Sequence, residues 1–186
     1  MNRRECLKTC TCGLCSYAAI GLIASTSAVG EETKPQEDWR FQFVKQRYAK
    51  LLTILAGRMD EKAVSEILEQ QGRYCASQSV LIKKYKGDID GFLEQKKKSG
   101  ETITYDRAKG VITIAGPERS DCFCPLVDCR NTPKIHCNCS LGWNAYAFET
   151  MLGKKVKVEL KESVLRGGKR CTFQVRVGDE PAQVLK

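Results

Sequence analysis

The chain has a single histidine, His136, among its 186 residues. Serine catalysis of the Ser-His-Asp kind would have to be built on that one imidazole. No serine lies in a nucleophile-elbow pattern, so that class is set aside. Phosphate-cradling glycine loops are missing too: Gly167-Gly168 lacks the strand-loop-helix setting and the Lys-Ser/Thr of a P-loop, and reads as a hairpin turn. The lysine clusters Lys83-Lys84, Lys86 and Lys96-Lys97-Lys98 fall on expected helix surfaces as solvated side chains. They do not form a recognition element, so no nucleic-acid partner is expected. The apolar run from Tyr17 to Val29 is too short, and too rich in Gly, Ser and Thr, to span a bilayer stably. There are no internal repeats and no low-complexity tracts.

Cysteine is what the chain has in excess, with 11 residues. Five of them (Cys122, Cys124, Cys129, Cys137 and Cys139) fall within the 18 residues from 122 to 139, together with His136. Four more, Cys6, Cys10, Cys12 and Cys15, precede the apolar run. Residues 1–30 read as an export signal: Arg3-Arg4 opens it, the apolar run follows, and small residues around Ala28 and Gly30 offer a cleavage site before Glu31-Glu32. Asn2-Arg3-Arg4-Glu5-Cys6-Leu7-Lys8 resembles the bacterial twin-arginine signal, with Cys6 at a position usually aromatic or aliphatic. The resemblance implies a periplasmic or otherwise extracytoplasmic protein, the twin-arginine translocation machinery as a partner, and no stable membrane span after cleavage. Removing residues 1–30 lowers the formal net charge from +9 to +7. Residues 31–38 are polar and read as a linker.

From 39 onward one domain to about residue 180 is expected. Phe41, Val44, Tyr48, Leu51, Leu52 and Leu55 form an apolar stripe at helical spacing. Asp60 can cap a second helix that ends at Gly72, a third covers about Ser77–Tyr85, and Asp88 can cap a fourth. The period then changes to two. Ile103 and Tyr105, a turn, then Ile112 and Ile114 predict a hairpin, which Pro117 ends. A cysteine-rich loop punctuated by Pro125 and Pro133 leads to a helix capped by Ser140, carrying Leu141, Ala145, Phe148 and Leu152 on one face. A second hairpin runs through Val156, Val158 and Leu160, turns at 166–169, and returns through Cys171, Phe173, Val175 and Val177. Helices, hairpin, loop, helix and hairpin in that order predict an α+β fold with one antiparallel sheet.

Several stretches carry a family likeness: Cys137-Asn138-Cys139-Ser140-Leu141-Gly142-Trp143, Phe148-Glu149, Leu152-Gly153, Val156-Lys157-Val158-Glu159 and Ser163-Val164-Leu165-Arg166-Gly167-Gly168 with Cys171-Thr172-Phe173. With Gly72-Arg73-Tyr74-Cys75 and Cys124-Pro125 they resemble the bacterial L-2-amino-thiazoline-4-carboxylic acid hydrolase-like family over about residues 40–177. The last helix and hairpin also resemble the wider 4-vinyl-reductase (V4R) small-molecule-binding domains. The likeness implies a pocket between helices and sheet, and hydrolysis of a C–N or C–S bond in a small heterocyclic or thiol-containing compound. Ligand-sensing relatives hold zinc by cysteines near the last hairpin. Cys171 matches one of those positions, and Ser163 stands where another cysteine is expected.

Three readings of the seven cysteines beyond residue 30 stay open. As disulfides they suit an oxidising compartment, with one thiol left over. As metal ligands, Cys122, Cys124, Cys129, Cys137 and Cys139 offer enough soft donors for zinc or an iron–sulfur cluster. As chemistry, Cys139 and Cys75 are candidate nucleophiles at helix starts, with His136 and Glu149 as candidate bases. The corresponding functions are a hydrolase, a non-catalytic small-molecule-binding module, and a thiol-redox or metal-handling protein. The pocket is expected to border the Cys122–Cys139 segment.

Overall fold

The computed structural model describes residues 38–182; the expected signal and residues 31–37 of the linker lie outside the described residues. Five helices come from sequence signals that are mostly short-range. α1 (Trp39–Arg58) begins where the Asp38 carboxylate accepts the Arg40 N–H, and α2 (Glu61–Ser77) where Asp60 accepts that of Ala63. Ser79 and Asp88 do the same for α3 (Val80–Lys84) and α4 (Ile89–Lys98). Each cap satisfies an otherwise orphaned donor of the first turn. α4 ends in Lys96, Lys97 and Lys98, cations at the negative end of its dipole.

α5 (Cys137–Leu152) is the central element. It continues directly from a 3-10 turn over Lys134–His136 and stops at Gly153, whose φ of 65° is the left-handed conformation that glycine tolerates. The helix therefore starts three residues before the expected Ser140 cap, and the 3-10 turn supplies the initiation that a capping side chain would otherwise give.

The sheet comprises β1 (Thr102–Asp106), β2 (Val111–Ala115), β3 (Lys154–Glu162) and β4 (Thr172–Pro181) in the order β1-β2-β4-β3, all antiparallel. The two hairpins thus join through β2 and β4, giving the α+β fold with one antiparallel sheet. One register row crosses all four strands, Tyr105–Ile112–Val175–Val158. Ile112, Ile114 and Val175 are buried with Phe148, Ala147 and Met151 of α5 and with Phe92 of α4, whose ring meets Phe148 edge-on. Burying aliphatic and aromatic surface of this kind is the main source of stability.

α2 crosses the other side of α5 at very close range. A Cβ placed on Gly72 would stand 1.8 Å from the Cys139 carbonyl oxygen, and one on Gly142 would stand 1.9 Å from that of Glu69. Gly72 is therefore no helix stop, and α2 runs through it to Ser77. Its role is to let two backbones touch. α1 lies over this pair through Leu52, Val64 and Leu68, with Tyr48, Leu55, Ile135 and Cys139 at the margin.

Candidate functional site

The segment between β2 and α5 folds as an ordered loop. Its pivot is Asp128: the main-chain carbonyl accepts the Asn131 and Thr132 N–H groups at 3.1 and 2.9 Å, and the Asp128 N–H donates to Thr132 Oγ1 at 3.1 Å. Its carboxylate takes the Arg130 N–H and guanidinium, which hold its pKa below the usual carboxylate range. Beneath that turn Val127, Cys137 and Leu165 form a small core bordered by Cys122, Cys124, Cys129 and Leu160. The thiols of the loop therefore serve partly as apolar packing.

All seven cysteines of the described residues are free thiols, and they fall into two neighbourhoods. In one, burial pushes the Cys122 thiol up to about 11, and Cys171, Cys129 and Cys137 add to the rise. Cys137 is buried, and its sulfur lies 3.1 Å from the hydroxyl of Ser163. In the other, Cys75 of α2, Cys124 of the loop and Cys139 of α5 lie within electrostatic range of one another. Burial, then Cys75, then Cys124 push the Cys139 thiol up to about 12. Burial and Cys75 also raise Cys124. Among the described residues no three His, Cys, Asp or Glu side chains come together in an arrangement that could hold a metal ion. As the side chains stand, the set Cys122, Cys124, Cys129, Cys137 and Cys139 does not fit a zinc or iron–sulfur site.

Cys139 is in the first turn of α5, where the helix dipole favours a thiolate, yet desolvation outweighs that contribution. Cys75 does not begin a helix. It lies in the last turn of α2, because that helix continues past Gly72, and it is exposed, with Gln71 Nε2 at 3.4 Å from its sulfur.

The two candidate bases are both engaged. His136 is buried at 3% exposure and its Nδ1 lies 2.9 Å from the Tyr48 hydroxyl, the rings meeting edge-on. Burial lowers its pKa, which keeps the imidazole neutral, and burial with the Cys139, Cys124 and Cys75 thiols pushes the Tyr48 phenol well above its ordinary value. Glu149 is buried rather than solvated, and Arg73 clasps it from α2 with contacts of 2.6 and 3.2 Å. Periodicity does not mark Tyr48 or Arg73 as a site residue. Tyr48 belongs by spacing to the apolar stripe of α1, and Arg73 to the polar side of α2. The crossing of α2 and α5 turns Arg73 toward Glu149, and the packing of α1 beside the 3-10 turn that leads into α5 turns Tyr48 toward His136.

Open grooves lie elsewhere. One of about 540 Å³ follows the sheet past Thr104, Lys109, Thr113 and Arg176, and one of about 230 Å³ follows Leu160–Ser163. Neither is lined by a residue of the Cys122–Cys139 segment, so the expected bordering of a pocket by that segment is not met by these two.

No protein-family model and no curated protein matches the chain. Among solved structures, it is similar to trafficking protein particle complex subunit 3 from Naegleria fowleri, covalently bound to palmitic acid. The similarity has a TM-score of 0.52 at 18% identity and covers 79% of this chain and 100% of that one. At that identity the likeness is one of fold, an α+β arrangement of helices on a sheet.

Proposed function

We propose that this chain is an exported thiol–disulfide protein, related in fold to the aminothiazoline-carboxylate-hydrolase-like and V4R domains, whose working group is Cys75 with Cys139 and Cys124. One observation carries this reading: Cys75 of α2 is an exposed thiol close enough to Cys139 of α5 and Cys124 of the loop to raise the pKa of both. The groups hydrolysis would need as acid or base are otherwise occupied, His136 by burial and Tyr48, Glu149 by Arg73.

In the reaction the Cys75 sulfur attacks one sulfur of an incoming small or protein disulfide, RSSR. A Cys75–SR mixed disulfide forms and RS⁻ leaves, taking a proton as RSH. The Cys139 or Cys124 sulfur then attacks the Cys75 sulfur, forming the internal disulfide and releasing the second RSH. The two protein thiols lose two electrons and two protons, and RSSR gains both.

The test is alkylation and peptide mass mapping of the full chain after equilibration in mixtures of reduced and oxidised glutathione. A reversible disulfide joining Cys75 to Cys139 or Cys124, lost in Cys75→Ser, supports the reading. Free thiols at all three positions under the most oxidising mixture would sink it.

Hydrolysis of a C–N or C–S bond in a small heterocyclic or thiol-containing compound is the second reading, favoured by the place of Cys139 in the first turn of α5, where the helix dipole supports a thiolate nucleophile. It predicts turnover of 2-aminothiazoline-4-carboxylate that disappears in Cys139→Ser. Absence of turnover by the purified chain counts against it.

A further inference from the structure

α1 packs inward through Leu52, Ala49 and Tyr48, and its opposite face has no partner among the described residues. That face is not polar. It exposes Trp39 at 68%, Leu51 at 51%, Ile54 at 48%, Val44 at 47% and Phe43 at 46%. Between these residues stand Arg40, Arg47, Lys50 and Arg58, all exposed, and none of the four is ion-paired among the described residues. The guanidinium of Arg47 lies 4.2 Å from the centre of the Phe43 ring and that of Arg40 5.8 Å from the Trp39 ring, so charge and apolar surface share one depth. No Asp or Glu occurs anywhere in the 20 residues of α1.

We propose that this outer face of α1 docks on an anionic lipid surface, lying in the headgroup plane. The charge pattern selects that occupant. Cations with no acidic counterpart, alternating with large apolar and aromatic side chains, match a layer that is negative at the surface and apolar just below it. A second copy of the chain laid α1 against α1 would set four cations against four with no carboxylate in either helix. No helix of the described residues is long and apolar enough to cross a membrane, so the contact is peripheral.

The chain's two tryptophans make the test specific: Trp39 is on this face, and Trp143 is packed against the main core. The full chain is mixed with vesicles of phosphatidylcholine alone or of phosphatidylcholine with phosphatidylglycerol, and sedimentation and tryptophan emission are read. The expected result is binding to the anionic vesicles that weakens with salt, a blue shift of emission, and loss of the shift in Trp39→Phe. In R40Q/R47Q/K50Q/R58Q, checked for folding by circular dichroism, partitioning should fall by about tenfold or more. The apolar run before α1 is unchanged in both variants, so these differences report α1 alone. Equal binding by the charge variant, or vesicle binding without a Trp39 shift, overturns the proposal. Dimerisation that buries Trp39 with no vesicle binding also overturns it and assigns the face to a second copy.

Discussion

Gly72 and Gly142 form a reciprocal contact: the first faces the Cys139 carbonyl of α5 and the second faces the Glu69 carbonyl of α2, each with no room for a Cβ. The obstacle at both positions is main chain, which cannot rotate away as a side chain can. Gly72→Ala is therefore expected to destabilise by roughly 3 kcal/mol, the upper end of ordinary overpacking, despite a better helix propensity. Gly57 is also helical, but a Cβ added there would meet nothing within 4 Å, and Gly57→Ala should stabilise by about 0.5–1 kcal/mol. Urea denaturation of the two variants makes the comparison, and equal midpoints would contradict it.

The Arg73–Glu149 pair ties the same two helices together at a second point. Removing the cation by Arg73→Ala leaves a carboxylate at 8% exposure without its partner, at a cost of about 2–3 kcal/mol. Arg73→Lys should recover only part, since an ammonium cannot reproduce the two-point grip. Chemical denaturation at pH 7 distinguishes the three proteins.

The buried imidazole gives stability a dependence on acid. His136 has a folded pKa below its ordinary 6.5 because burial disfavours the charged ring. Its contribution is present above pH 6.5 and is lost as pH falls, since the unfolded chain then takes up a proton that the folded one resists. Tyr48→Phe removes the partner of Nδ1 and should cost about 1–3 kcal/mol. The checks are melting temperature against pH from 7 to 4, and a urea titration of the variant.

Cys139 titrates at the opposite end of the scale. With its pKa pushed up to about 12, the folded protein holds the thiol proton that the unfolded chain releases at about pH 8.5. Its stabilising contribution is full below that value and disappears as pH rises toward about 12. Below about 12 the thiolate fraction should increase about tenfold per pH unit, and so should the iodoacetamide rate at Cys139 in the folded chain. Peptide mapping after timed alkylation measures it, and a rate flat between pH 7 and 9 would contradict the assignment.

Because Cys139 resists ionisation, closing the internal disulfide should be the slow step of the proposed exchange. Mixed disulfide on Cys75 should accumulate at pH 7 and collapse to the internal bond faster at pH 9. Stopped alkylation with mass readout follows both species.

Local patterns determined most of the fold. Asp60 and Asp88 act as caps because a capping side chain bonds within its own turn, and Ile112 and Ile114 face inward because side chains alternate along any strand. That the two hairpins would share one antiparallel sheet followed from grouped strands that each needed a buried face, whereas their joining through β2 and β4 is decided by tertiary packing.

The site was less legible, because its residues owe their roles to partners far away in the chain. Gly72 resembles a helix terminator until α5 is laid across it, and Cys75 resembles a helix start only if α2 is taken to end there. Tyr48 and His136 are 88 positions apart, Arg73 and Glu149 are 76 apart, and periodicity carries no information over such intervals.

By itself the sequence determined that this chain would crowd five thiols between residues 122 and 139 and build an α+β domain, since composition, capping and alternation are local properties. Which thiols share a neighbourhood, and that Cys139 is held protonated while Cys75 stays open to solvent, only the tertiary structure decided. The physical reason is that burial and proximity arise from the crossing of α2 and α5, and two glycines permit that crossing.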